Sequence, residues 1–260
     1  MSRKEGLMRI HSEAFWLPKA GNTEEEYEDA FWPEEPVDSS LDVFRVAIAD
    51  GATEASFSAL WAQLLVKAYC EGKFDEGLYE EALTDLQTQW IQGIGSQPLP
   101  WYAEQKVLDG AFSSLLGVTF KEASSTAVNN DSVLWKAMAV GDSCLFHVRD
   151  DRLIKAFPLN NSSDFNNRPA LISSRQEFNE PLPNSIFTCE GTLEIDDSLY
   201  LMTDALACWF LSDLEQGHEP WKIKHWVQIE SWITRLRQTK QIRNDDVTIV
   251  QIERMLDDED

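Results

Sequence analysis

Acidic residues stand where apolar runs begin or end along most of the chain. Asp50-Gly51 closes the run 43–49, and Gly141-Asp142-Ser143 follows 135–140. Thr203-Asp204 follows 198–202, Asp245-Asp246 precedes 247–252, and Glu28-Asp29 lies upstream of them all. Short apolar runs bounded by breaks read as buried strands. Strands that end in carboxylates can aim several acids at one spot. Clustered carboxylates repel and resist burial unless positive charge lies between them. Hard divalent cations, magnesium, manganese or calcium, are the usual counter-charge because oxygen ligands suit them.

Other reactive constellations are missing from the sequence. His11, His147, His218 and His225 are scattered, without His-x-x-x-His spacing, and read as structural or surface residues. There is no Gly-x-Ser-x-Gly elbow and no P-loop, and Gly93-Ile94-Gly95 lacks the rest of a dinucleotide fingerprint. Cys70, Cys144, Cys189 and Cys208 form no Cys-x-x-Cys pair and read as thiols in a reducing compartment.

The elements that must position the acids follow from periodicity. A strand is expected within 1–17, a polar loop over 19–29 and a buried strand over 43–50. From Thr53 the spacing of Phe57, Leu60, Trp61, Leu64, Leu65 and Ala68 predicts an amphipathic helix. A second helix is expected over 78–91, with Leu83, Leu86 and Trp90 inward, then a loop at 93–100 and a third helix over 101–116. Two hairpins follow, 125–128 with 133–140 and 144–148 with 153–157, the second turning at Asp150-Asp151. Residues 158–192 read as irregular. Strands return at 198–202 and 247–252, with a helix over 219–238 between them carrying Trp226, Ile229, Ile233 and Leu236. Segregated helices and antiparallel strands make this an α+β pattern.

The chain has 260 residues, 43% of them hydrophobic, enough for a sizeable core. One domain over 1–260 is expected, with a solvated acidic end at about 255–260. The net charge of −23 disfavours nucleic acid and anionic membrane as partners. No stretch approaches about 18 consecutive apolar residues, and the first ten residues carry charges without an apolar core, so a cytoplasmic protein is expected.

Taken in order, the motifs resemble the metal-dependent serine/threonine phosphatases of the protein phosphatase 2C family. Glu28-Asp29-Ala30 is similar to that family's Glu-Asp-Ala, and Asp50-Gly51 to its Asp-Gly. Ser125-Thr126-Ala127 is similar to its Ser/Thr-Thr-Ala, and Val140-Gly141-Asp142-Ser143 matches Val-Gly-Asp-Ser. Thr203-Asp204-Ala205-Leu206 looks like Thr-Asp-Gly-Leu, and Asp245-Asp246-Val247-Thr248 like Asp-Asn-(apolar)-Thr. The resemblance implies two packed antiparallel β-sheets flanked by α-helices, an α-β-β-α sandwich. It implies two manganese or magnesium ions, bridged by Asp50. Asp204 and Asp245 would complete one ion, Glu28 and the Gly51 carbonyl would help hold the other, and Asp142 would offer a third, weaker site. Asp29 would orient the attacking water. The implied substrate is a phosphorylated protein, supplied by a cognate serine/threonine kinase.

The chain departs from the family where phosphate is gripped. Glu24 stands where the family places an Arg, Ala52 where many members have His, Ala205 for Gly, Cys208 for a third-metal Asp, and Asp246 for Asn. Lys19 is the nearest upstream base, and Arg168 and Arg175 are alternative phosphate contacts, though each is more simply a surface residue. Three functions stay open: a protein phosphatase, a catalytically weak regulatory or binding module, and a two-metal hydrolase of small phosphate esters.

Overall fold

A computed structural model describes residues 9–39, 42–52, 57–75, 79–95, 107–122, 133–166, 168–222 and 228–255. Its strands are β1 (Ile10–Leu17), β2 (Ala30–Trp32), β3 (Val37–Ser39), β4 (Val43–Ala49), β5 (Phe112–Ser113), β6 (Leu115–Glu122) and β7 (Val133–Val140). They continue with β8 (Cys144–Arg149), β9 (Arg152–Phe157), β10 (Ile172–Ser173), β11 (Phe187–Leu193), β12 (Ser198–Met202) and β13 (Val247–Arg254). The helices are α1 (Ser58–Cys70), α2 (Tyr79–Ile94), α3 (Asp204–Glu215) and α4 (Ile229–Gln238).

Alternation along the strands builds the layers. In β4, Phe44, Val46 and Ile48 face one apolar cluster while Ala47 and Ala49 face another, as the two-residue period of a strand requires. In β13, Val250 and Ile252 join the first cluster while Val247 and Ile249 point away. That first cluster is built entirely from strand residues and lies between two sheets. One sheet has the order β3-β1-β13-β12-β8-β9 and the other β11-β7-β6-β4-β2, both antiparallel throughout. The outer face of the second sheet carries α1 and α2, through Trp61, Leu65, Leu83, Leu86 and Trp90. The outer face of the first carries α3 and α4, through Leu206, Phe210, Ile229, Ile233 and Leu236. The expected four-layer α+β sandwich is present.

Several elements differ from the sequence reading. The helix expected over 101–116 fails at its C-terminal end: 107–109 are helical, Gly110 takes a positive φ of 81°, and β5 and β6 follow. Leu115, Leu116, Val118 and Phe120 are all buried, because β6 lies between two apolar layers, and such a strand mimics a buried helix in sequence. Segment 125–128, including Ser125-Thr126-Ala127, lies outside the described residues, as do His225, Trp226 and the acidic end from 256 onward. Both edges of β7 are taken, by β6 and β11, so its hairpin partner is β6. The irregular stretch contains β11, a half-exposed edge strand whose polar sequence hides it. Of the helix expected over 219–238, a short 3-10 turn at Pro220–Lys222 and α4 from Ile229 are described, and 223–227 lie outside the described residues. Helix α3 has no counterpart in the sequence reading, since Ala205, Leu206, Ala207, Phe210 and Leu211 are buried on most sides and leave little amphipathic signal. The β8–β9 turn is as expected, with Asp150 and Asp151 at positive φ of 50° and 55°.

Phe210 of α3 stacks on Phe146 of β8 at 4.0 Å between ring centroids, joining helix to sheet. Phe210→Ala is expected to cost about 3–5 kcal/mol of stability. Urea unfolding checks it, and a loss below about 1 kcal/mol counts against this packing as a determinant of the layer.

Candidate metal centre

The strand register brings the acids to one end of the sandwich. Ile48 of β4 pairs with Leu116, Leu115 with Val140, and Ala30 with Ala49, so Asp29, Asp50 and Asp142 leave neighbouring strand ends. In the other sheet Met202 pairs with both Cys144 and Ile249, so Asp204, Asp142 and Asp245 are likewise neighbours.

Small hydroxyl residues fix the backbone there. The Asp50 N–H donates to Ser114 Oγ at 3.0 Å, while its carbonyl accepts from Ser113 Oγ at 2.8 Å and the Ser114 N–H at 2.9 Å. Ser114 Oγ in turn lies 2.8 Å from Ser143 Oγ, tying the Asp50 turn to the Asp142 turn. Gly141 has φ 101°, and a Cβ on it would come within 2.6 Å of Ser114 Cβ. Gly51 is needed for space: a Cβ there would lie 2.5 Å from the Glu28 carbonyl oxygen.

Each acid has a distinct setting. Glu28 accepts from Ser58 Oγ at 2.7 Å and faces Lys19 Nζ at 3.7 Å. Asp29 is buried and accepts from Thr248 Oγ1 at 2.7 Å; the Tyr27 hydroxyl also bonds to that Thr248 oxygen. Asp246 accepts the Lys19 and Glu28 N–H groups, each at 2.8 Å, which clamps the 19–28 loop onto β13. Both its oxygens are thereby engaged in backbone support. Asp204 opens α3, after Thr203, whose Oγ1 accepts the Thr248 N–H at 2.9 Å. One Asp204 oxygen, Oδ2, is ion-paired with Arg243, whose Nη2 also lies 2.9 Å from Asp245 Oδ2. The other, Oδ1, is buried with no hydrogen-bond partner among the described residues.

The electrostatics are those of crowded like charges. Burial raises the Asp50 carboxyl well above the carboxylate range, and Asp29, Asp204, Asp142 and Asp245 push it further. Burial likewise raises Asp29, with Asp246 and Asp204 adding to it. Asp142 is pushed up to about 7 by burial first and then by Asp204. Asp204 is raised by burial against the pull of Arg243.

The sequence-derived residues Glu28, Asp29, Asp50, Gly51, Asp142, Asp204 and Asp245 thus meet at one end of the sandwich. Among the described residues, no three Asp, Glu, His or Cys side chains gather about a common point as at a filled metal site. The donor chemistry still fits a hard divalent cation: every candidate ligand is an oxygen, and Asp204 Oδ1 is a buried acceptor lacking the partner its burial calls for. Of the departures, Glu24 lies exposed in a short 3-10 turn, Arg168 is exposed, and Arg175 pairs with Glu177 at 2.8 Å. Cys208 lines a cavity of about 170 Å³ beside Asp204 and Arg243. Sequence reasoning missed Arg243, Ser58 and Ser114; the only cue for Arg243 was a base two residues before Asp245.

The unfolded chain releases the Asp142 proton near pH 4, whereas the folded chain holds it to about 7. Between these values folding takes up a proton, so rising pH weakens the fold through this group. In protein stripped of divalent ions by a chelator, Asp142→Asn is expected to be more stable than wild type. The gap should widen from about pH 4 to about pH 7 and then level off. Urea midpoints across that range check it, and a gap independent of pH overturns it.

No protein-family model and no curated protein matches the chain. Solved structures do. The Mycobacterium tuberculosis serine/threonine phosphatase PstP is similar over 95% of this chain and 99% of its own, at 14% identity and TM-score 0.57. The catalytic domain of a serine/threonine protein phosphatase PstP in complex with two manganese ions is similar over 96% of this chain and 100% of its own, at 14% identity and TM-score 0.54. PppA of Pseudomonas aeruginosa, described as a key regulatory component of T6SS, is similar over 96% and 99%, at 14% identity and TM-score 0.55. The chain therefore has the fold of the protein phosphatase 2C-type serine/threonine phosphatases.

Proposed function

We propose that this chain is a metal-dependent phosphatase that hydrolyses phosphoserine and phosphothreonine in proteins. The observation that carries the proposal is that Asp50, Asp142, Asp204 and Asp245, each named beforehand from sequence, stand at neighbouring strand ends, with Asp204 Oδ1 buried and without a partner among the described residues. Asp50, Asp204 and Asp245 would hold one manganese or magnesium ion. Asp50, Glu28 and the Gly51 carbonyl would hold the second, and Asp142 would offer a weaker third site. Such ions, when bound, lower the pKa of coordinated water and offset charge on a phosphoryl group. Asp29, positioned by Thr248, orients the attacking water. Ser113, Ser114 and Ser143 hold the Asp50 and Asp142 turns in place, so that little reorganisation is needed when substrate binds.

The proposed partners are a phosphorylated protein and the serine/threonine kinase that supplies it. The net charge of −23 argues against nucleic acid and anionic membrane, and among the described residues no helix is long and apolar enough to cross a membrane. A second reading, a catalytically weak regulatory module, is favoured by Glu24 in place of a phosphate-gripping Arg and by the Arg243 pairing.

The test is hydrolysis of an aryl phosphate and of a phosphothreonine peptide, titrated with manganese. Turnover should require the metal and fall by more than about 100-fold in both Asp50→Asn and Asp204→Asn, with circular dichroism unchanged. Wild-type-like turnover in both variants would sink the phosphatase reading. Metal binding without turnover on either substrate would favour the regulatory one.

A further inference from the structure

Arg243 lies in the loop between α4 and β13 and reaches into the acid cluster. A single nitrogen, Nη2, serves Asp204 Oδ2 and Asp245 Oδ2 together. These are the two carboxylates assigned above to one ion. We infer that Arg243 is a tethered cation that competes with the divalent ion for Asp204 and Asp245, and so sets how much metal the site needs to fill. This rests on the metal-dependent reading of the site.

The arrangement suits a displaceable counter-ion better than a fixed structural pair. An arginine locked to a carboxylate commonly uses its planar fork, with two nitrogens on two oxygens. Here one nitrogen spans two acids and leaves Asp204 Oδ1 unserved. One positive charge faces Asp204 and Asp245 directly, with Asp50 close enough to be felt. A dication satisfies that excess of negative charge better than a guanidinium does. The Arg243 side chain is 54% exposed, so it can leave the acids without disrupting a packed core. The cavity of about 170 Å³ bounded by Phe165, Cys208, Gln241 and Arg243 gives it room beside Asp204. At the other end of the cluster Lys19 faces Glu28 at 3.7 Å, so each assigned ion has a protein cation on one of its ligands.

A site blocked by its own side chain for most of the time binds ligand more weakly by the fraction that is open. In calorimetric titrations with manganese alone, Arg243→Met should bind about tenfold more tightly than wild type, with Arg243→Lys between them. In chelator, Arg243→Met should melt at a lower temperature than wild type, since its acids have lost their counter-charge. Manganese should then raise its melting temperature by more than it raises that of wild type. Equal manganese affinity in wild type and a folded Arg243→Met overturns the proposal and leaves the metal reading standing. No manganese binding by either protein overturns both. Should Arg243→Met not fold in chelator, recovery with manganese but not with sodium chloride supports the proposal. Failure to fold with either salt makes Arg243 a structural residue and overturns it.

Discussion

Crowding of like charge at one end of a β-sandwich is the constraint on which the rest of this molecule turns. Glu28, Asp29, Asp50, Asp142, Asp204 and Asp245 arrive there because each sits where an apolar strand or its neighbour stops. The two sheets pack their shared faces against each other and carry helices on parts of their outer faces, which leaves the strand ends as a place where charge can stand. Hydroxyl groups of Ser58, Ser113, Ser114, Thr203 and Thr248 hold the geometry, but as neutral donors and acceptors they do little to cancel charge. Among the described residues, the cationic side chains ion-paired with these acids are Arg243 and Lys19. Against that set of carboxylates they leave a negative excess, which adds to the burial that is the first cause of the raised carboxyls of Asp29, Asp50, Asp142 and Asp204.

Neighbouring acids divide the labour. Asp245 and Asp246 are adjacent, yet one faces the cluster with Arg243 and the other spends both oxygens on backbone N–H groups of residues 19 and 28. Glu28 and Asp29 also take different partners. The longer glutamate side chain reaches Ser58 on α1 while its backbone stays pinned by Asp246, and the shorter Asp29 turns to Thr248 on β13. Both pairs stand just before a strand, β2 and β13, where the chain is irregular and neighbouring side chains are free to take different partners.

Much of this was legible in the sequence because strand ends are local events. An apolar run bounded by Asp-Gly, Gly-Asp-Ser, Thr-Asp or Asp-Asp announces both the strand and the acid beside it, and β4, β7, β12 and β13 are all legible this way. Helices α1 and α2 were legible because each shows one apolar face to one sheet. What escaped was either surrounded or exposed. Strand β6 and helix α3 are buried on most sides and carry no clean period, while β11 is an edge strand with too much polar sequence to stand out. The pairing of Arg243 with Asp204 spans 39 positions and is created by folding alone, so no local pattern marks it. The same holds for Ser58 on Glu28 and Ser114 on Ser143.

Asp246 holds Glu28 across 218 positions, and Thr248 holds Asp29 across 219. Strand β13 lies between β1 and β12 in its sheet, so that sheet cannot close until the last strand is added. Contacts so distant in sequence form late, after the loop entropy between them has been overcome. A ribosome-bound chain lacking β13 would carry Glu28, Asp29, Asp50 and Asp142 without the partners that place them. The charge cluster is thus complete only once β13 is in place, because the residues that hold Glu28 and Asp29 lie on it or directly before it.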